Sequence, residues 1–135
     1  MWYVLESTVS ASTAKANATE TSIKVSGGIL HTIYVTIPPG SASLVHCQLR
    51  KGGYYILPRN EDKDISGELA SVKFNEFLEL KHEMNRLTLK TWNTDDTYDH
   101  KVTLLIGVLP KKVMEMEEEI IKDLRLFLRL FRRRT

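Results

Sequence analysis

The chain has 135 residues, of which 42% are hydrophobic and 27% are charged, and its formal net charge is +2. This length suits one globular core and is too short for two. The charge is uneven, because residues 111–135 carry eight Lys or Arg against five Asp or Glu, whereas residues 1–110 carry eleven against twelve. The basic character belongs to the tail, which argues against a nucleic acid footprint on the folded body.

The single cysteine, Cys47, excludes an internal disulfide framework and the usual zinc-binding spacings. We expect it to be a small buried residue rather than a nucleophile. The opening segment MWYVLESTVSAS lacks the basic and apolar regions of a secretory signal. No apolar run approaches the length of about 20 residues that spans a bilayer. These features predict a protein that is made in the cytoplasm.

In chain order, residues 2–9 predict a first strand, and the small polar residues 10–20 predict an extended arm or a flexible link. If that strand is not needed by its own domain, it is free to add to the sheet edge of another subunit. Residues 21–26 and 29–37 alternate polar and apolar residues as strands do, and Gly27–Gly28 between them predicts a tight hairpin. The alternation places the following residues on one face of the second strand: Ile29, His31, Ile33, Val35 and Ile37.

Residues 45–57 repeat this pattern and predict a second hairpin, with its turn at Gly52–Gly53. The polar residues 59–68 predict an exposed loop. Residues 70–81 resume the strand pattern, but the phase of the apolar residues shifts near Glu76, which predicts a bulge or bend there.

Residues 85–93 and 100–110 predict the last two strands, and the second of these is apolar on both faces, as a central strand would be. About eight strands with no intervening helix predict an all-β fold, an antiparallel β-sandwich. We favour an eight-stranded jelly roll, because the Cys…Trp…Cys pattern of immunoglobulin domains is absent.

A search for chemistry finds no catalytic or phosphate-binding motif, so the sequence predicts no enzyme, no catalytic residue and no cofactor. The densest set of metal-ligating oxygens is in NTDDTYDH, where Asp95, Asp96 and Asp99 are a weak calcium candidate. A turn in which these side chains cap the backbone is the favoured interpretation. Four aromatic residues would form a sugar-stacking platform if exposed together: Tyr54, Tyr55, Trp92 and Tyr98.

From Lys111 the hydrophobic period becomes helical, and Pro110 is a natural boundary. Glutamates near the start and arginines at the end match the sign of the helix dipole. The apolar residues form a stripe, with further leucines on the opposite side. The predicted partner or oligomer interface comprises Ile120, Ile121, Leu124, Leu126, Phe127, Leu128, Leu130 and Phe131, and the predicted basic contacts are Arg129, Arg132, Arg133 and Arg134.

An amphipathic terminal helix of this kind can pack against copies of itself, dock into another protein, lie on a membrane or touch packaged nucleic acid. We rank self-assembly or partner assembly first, because the acidic first half would be repelled by anionic lipid and by phosphate. Nucleic acid or membrane contact through the arginine-rich end ranks lower.

Two stretches, ILHTIYVTIPPGSASLVHCQL and NRLTLKTWNTDDTYDHKVTLLIGVLP, together with a helical appendage, resemble small jelly-roll virion structural proteins. Examples are capsid decoration or minor head proteins of tailed phages and archaeal viruses. The resemblance covers residues 21–110 and is architectural. It implies a non-enzymatic protein of the virion, present in many copies on a capsid lattice that terminal arms and helices hold together.

The expected organisation is an N-terminal strand and polar link over residues 1–20, a β-sandwich over 21–110 and an amphipathic helix over 111–135. The alternative function is a sandwich module that binds a carbohydrate or a calcium-dependent ligand through its strand-end loops.

Overall fold

The computed structural model describes residues 1–133, apart from the side chains of Leu69, Val113, Met114, Glu117 and Arg133. Within these residues the chain forms seven strands, a short 3₁₀ helix at Lys15–Asn17 and one α-helix. The strands are β1 (Trp2–Val9), β2 (Thr19–Ile37), β3 (Val45–Lys51), β4 (Tyr54–Leu57), β5 (Ile65–Ser66), β6 (Leu69–Asn93) and β7 (His100–Pro110), and the helix is α1 (Lys111–Arg133).

The strands pair antiparallel in the order β1-β7-β2-β6-β3-β4, and β5 pairs with β3. Although β1 and β6 are not neighbours in this order, Ser7 of β1 and Thr91 of β6 share a buried hydrogen bond of 3.0 Å between their hydroxyl oxygens. Tyr3 of β1 likewise donates its hydroxyl hydrogen to Ser26 Oγ of β2, at 3.2 Å. The sheet therefore folds over on itself, and the all-β fold is sandwich-like, as predicted.

The fold-over occurs where β2 and β6 bend together. Between the pairs Ser26↔Met84 and Gly28↔Leu80, two steps along β2 correspond to four along β6. Gly28 has a φ of 152°, and a Cβ added there would lie 1.8 Å from the carbonyl oxygen of Leu109. This close approach of two backbones leaves room only for glycine.

The predicted hairpin at Gly27–Gly28 is wrong, because these residues lie inside the continuous strand β2. Residues 70–81 and 85–93 are likewise parts of one strand, β6. Each bend therefore fuses two predicted strands into one, and the short strand β5 appears inside the predicted loop 59–68. The described chain has seven strands rather than eight for this reason.

A second irregularity changes which residues of β2 reach the core. Thr32 pairs with Gly107 and Leu30 with Val108, so His31 is an extra residue relative to β7. Leu30 is consequently fully buried in the central hydrophobic cluster, whereas Ile29 is buried but is not part of that cluster. The prediction that Ile29 lies on the same face as Ile33, Val35 and Ile37 is wrong, because the alternation of faces breaks at the bulge.

The bulge predicted near Glu76 is confirmed. Leu30 pairs with Leu78 and Thr32 with Asn75, which leaves one extra residue of β6 at this point. The hairpin of β3 and β4 around Gly52–Gly53 is also present. Strand β7 lies between β1 and β2, as its two apolar faces predicted.

The core lies between the two folded halves of the sheet. Cys47 is part of it, as predicted, and burial together with the negative charge of Asp64 raises the pKa of its thiol to about 12. The cluster comprises Leu5, Val9, Val25, Leu30, Ile33, Val35, Ile37, Val45, Cys47, Leu49, Ile56, Leu80, Leu87, Leu89, Val102, Leu104, Ile106 and Val108. None of the α1 side chains that the structure describes belongs to this cluster.

Residues 1–20 are part of the sandwich and not a separate arm. Strand β1 pairs with β7 along its whole length, from Trp2↔Gly107 to Val9↔His100. The following segment is held as well, because the Ser12 amide donates a hydrogen bond to the carbonyl oxygen of Asp95 at 2.7 Å. Strand β1 is therefore used by its own sandwich, so the condition under which it would add to another subunit is not met.

We predict that Gly28→Ala lowers the free energy of unfolding by about 2–4 kcal/mol, because the added methyl group collides with the Leu109 carbonyl and the backbone stays strained. The matched control is Gly53→Ala, where an added Cβ meets no atom within 4 Å. Urea denaturation of the two variants measures the difference. Equal midpoints would show that the bend does not require glycine.

Candidate interaction surface

Helix α1 follows β7 without a connecting residue, since Pro110 ends the strand and Lys111 begins the helix. Its contacts with the sandwich are made mainly with β2 and β7. Every side chain of α1 that the structure describes is exposed. The helix therefore projects from the sandwich and does not pack along it.

The predicted interface residues of α1 all lie on this projecting part. Their exposed fractions run from 43% for Ile121 to 63% for Phe127 and Phe131. The rings of Phe127 and Phe131 stack on each other with centroids 6.4 Å apart. Met116 adds to the same surface at 56% exposure. The following side chains are the exposed apolar ones among those of α1 that the structure describes, and we call them the helix stripe and its flanks: Met116, Ile120, Ile121, Leu124, Leu126, Phe127, Leu128, Leu130 and Phe131.

Two of the predicted basic contacts, Arg129 and Arg132, lie in the last turns of the same helix. Arg129 and Arg132 are exposed there. Arg134 and the side chain of Arg133 lie outside the described residues. Among the helices of the described chain, none combines the length and the apolar character that crossing a membrane would require.

A shallow apolar groove of about 400 Å³ lies on the outer face of β1, β7 and β2. Val4, Leu105 and Tyr34 form one row across the three strands and line it. Beside it, the Trp2 ring meets the edge of the His31 ring at a centroid distance of 5.7 Å. The sequence signal for this surface is the second apolar face of β7, but the pairing that joins the three residues is not visible without the fold.

The loop between β6 and β7 contains the three aspartates of the calcium candidate. Asp95 is buried, and its Oδ1 accepts hydrogen bonds from the amides of Thr97 at 2.9 Å and Tyr98 at 3.3 Å. Its Oδ2 lies 2.8 Å from His100 Nε2. The His100 hydrogen bond, followed by that of the Thr97 amide, lowers the pKa of Asp95 below its usual value.

The other two carboxylates also bind within the protein. Asp99 Oδ1 accepts a hydrogen bond from the Ala11 amide at 2.8 Å, and Asp96 Oδ1 accepts one from the Thr97 hydroxyl at 2.9 Å. Within the described side chains, no three His, Cys, Asp or Glu residues gather as metal ligands would. The weak calcium candidate therefore has no support in the geometry, and the observed contacts are those of an Asx turn.

The predicted sugar platform does not form, because Trp92 is only 4% exposed. The His46 ring stacks on it with centroids 5.4 Å apart, and Lys15 Nζ lies 5.2 Å from its ring centre. Asp64 Oδ1 forms a hydrogen bond with His46 Nδ1, at 2.7 Å. Tyr54 lies elsewhere, beneath the Arg59 guanidinium. These contacts attach the loop before β5 and the 3₁₀ helix to the outer face of β3 and β6.

The sequence matches no model of a known protein family, and none of the curated proteins with which it was compared is significantly similar to it. The surfaces of the chain are therefore what points to its function. Among those described above, α1 presents the largest continuous set of exposed apolar side chains.

We predict that Asp95→Asn lowers the stability at neutral pH and weakens its dependence on pH in acid. Because the pKa of Asp95 is lowered in the folded state, its contribution is complete above the ordinary carboxyl pKa of about 3.9 and is lost as the pH falls through the folded value. Urea midpoints measured from pH 7 to pH 2 test this. Asp96→Asn, on the same turn, is the matched control, and identical pH profiles for wild type and Asp95→Asn would contradict the prediction.

Proposed function

We propose that this protein is a non-enzymatic assembly protein whose copies associate through α1. The observation that carries the proposal is the exposure of the helix stripe and its flanks, from 43% to 63% for each predicted interface residue. Monomeric soluble proteins rarely expose contiguous apolar patches larger than a few hundred Å². A helix with an apolar stripe of this kind gains stability by burying it against a partner.

The free energy gained by burying these side chains favours association over leaving them exposed to water. Full burial of one Leu, Ile or Phe side chain contributes about 1.5–3 kcal/mol. Partial burial of several such side chains on two helices can therefore offset the cost of association, which is about 4–15 kcal/mol. The sandwich cannot supply this burial in the described arrangement, because α1 points away from it.

We also propose that the sandwich is a jelly roll in which two pairs of strands are fused. We leave out the two-residue strand β5 and count β2 and β6 as two segments each, on either side of their shared bend, which gives eight segments numbered 1–8 in chain order. One layer then has the order 1-8-3-6 and the other 2-7-4-5. These are the two layers of a double Greek key, the topology of many capsid domains. This order supports a role in a particle built from many copies, such as a virion, by analogy of fold.

Strand β1 does not serve as an N-terminal arm in this assembly, because it is already paired with β7 in its own sheet. The alternative function in ligand binding has no support here, since Asp95 and Asp99 accept hydrogen bonds from backbone amides of the protein itself and Trp92 is buried. Helix α1 is thus the assembly element.

We predict that the full chain is an oligomer and that a chain ending at Pro110 is a folded monomer, because no described side chain of α1 is part of the core. Light scattering behind size exclusion measures both masses, and circular dichroism checks that the shorter chain keeps its strands. The same number of copies per particle for the two chains would contradict the proposal.

Two double variants distinguish the role of the apolar stripe from that of the rest of the helix. We expect Leu124→Gln with Phe127→Gln to dissociate the oligomer, because both changes remove apolar area from the stripe. The matched control is Lys111→Gln with Lys122→Gln, two changes on the opposite side of the same helix. Loss of the oligomer in the control alone would contradict a role for the stripe.

A further inference from the structure

The side of α1 that lies opposite the apolar stripe carries a row of basic residues. Leu124 is part of the stripe, and each residue turns the helix by about 100°. Arg125, Arg129 and Lys122 therefore lie about 100°, 140° and 160° around the helix axis from it. All three are exposed, and together with Leu126 they line one shallow groove of about 310 Å³. We call Lys122, Arg125 and Arg129 the basic row.

The helix does not neutralise the two arginines of the basic row. No Asp or Glu stands three or four positions from Arg125 or Arg129, which are the spacings at which a helix pairs opposite charges on its own surface. Within the part of the chain that the structure describes, no ion pair includes either arginine. The four glutamates at 115–119 lie closer to the sandwich, whereas residues 120–134 carry six Lys or Arg against one Asp, a formal charge of +5.

The position of the basic row disfavours a membrane as its partner. A helix that lies on a bilayer immerses its apolar stripe, and its basic side chains reach the lipid headgroups from the flanks of that stripe. Lys122 and Arg129 lie too far around the helix to do so, and they would face water instead. A partner of the basic row approaches from the side away from the stripe, so it can bind while the stripe is buried between copies.

The spacing of the basic row suits a polymer of phosphates. Lys122 and Arg129 are seven residues apart, which is about 10 Å along the helix axis, and Arg125 lies between them. Duplex nucleic acid carries one negative charge per about 1.7 Å of its axis, so a segment of this length presents about six phosphates. A guanidinium group binds phosphate oxygens through two parallel N–H donors, and contacts of this kind do not depend on the base sequence.

Repetition of the basic row in the proposed assembly would strengthen such a contact. Each copy presents one row, and a long polyanion can bind several rows at once. After the first contact, each further one is intramolecular, which raises the overall affinity without any new kind of contact. A small anion or a single acidic side chain reaches only one row and gains nothing from the assembly.

We propose that the basic row binds the phosphate backbone of nucleic acid, independently of sequence, on the side of α1 that assembly leaves exposed. This binding goes beyond the proposed function and rests on it in one respect, since burial of the stripe leaves the basic row facing outward. The contact is confined to the helix, because residues 1–110 carry eleven Lys or Arg against twelve Asp or Glu.

Fluorescence anisotropy of a short labelled DNA duplex, titrated with the full chain, tests the binding. The test variant is Arg125→Gln with Arg129→Gln. The matched control is Lys24→Gln with Lys73→Gln, which removes the same charge from exposed positions of the sandwich. We expect wild type and control to bind two duplexes of unrelated sequence alike. The arginine variant should bind at least about tenfold more weakly, with a smaller dependence of affinity on salt concentration.

Three results would overturn the inference. The first is equal affinity of the arginine variant and the lysine control for the duplex. The second is the absence of duplex binding by the wild type at low salt. The third is binding to vesicles of phosphatidylcholine and phosphatidylserine, or to polyglutamate, that is as tight as binding to the duplex, because the partner would then be a lipid surface or an acidic protein segment.

Light scattering on the same samples distinguishes this inference from the proposed function. The arginine variant should keep the oligomer of the wild type, and its dissociation would overturn the inference by making the basic row part of the contact between copies. An intact oligomer that does not bind the duplex would overturn the nucleic acid contact alone. A monomeric wild type that binds the duplex through Arg125 and Arg129 would overturn the proposed assembly and support the nucleic acid contact.

Discussion

The close approach of the Gly28 backbone to the carbonyl of Leu109 is the constraint on which the rest of the fold depends. Because no side chain occupies this space, β2 bends without losing its pairing to β6 or to β7. The same strand then contributes to both layers of the sandwich, and the core forms between them. The end of β7 is held at this bend, which fixes the point from which α1 leaves the sandwich.

Buried polar groups complete the structure at the opposite end of β7. Asp95 joins the loop before β7 to His100, and Asn93 Nδ2 donates hydrogen bonds to the carbonyl oxygens of Tyr98 and Val9. A buried polar group costs free energy unless it is paired, so these contacts favour one arrangement of β1, β6 and β7 over alternatives with shifted register. The side chains that suggested a ligand site in the sequence thus serve the fold.

Most strands could be predicted from the sequence, because alternation of polar and apolar residues is a local property. The turn at Gly52–Gly53 was predictable for the same reason. Gly27–Gly28 has the same local signature, yet it lies within a strand, since what distinguishes a bend from a turn there is the distant backbone of Leu109. The burial of Trp92 was also unpredictable, because its cover comes from residues far away in the sequence. The exposed stripe of α1, in contrast, could be predicted, because a helical hydrophobic period is also a local property of the sequence. The small sandwich cannot bury apolar residues on both sides of this helix.

The direct junction between β7 and α1 couples the orientation of the helix to that of the sheet. Each residue inserted or deleted between Pro110 and Lys111 would turn the helix by about 100° and shift it by about 1.5 Å relative to the sandwich. The angle between neighbouring bodies in an assembly would therefore change in discrete steps with the length of this junction, whereas length changes in the sandwich loops would leave it unaltered. In the proposed assembly, the length of this junction would set the rotation of one copy relative to the next.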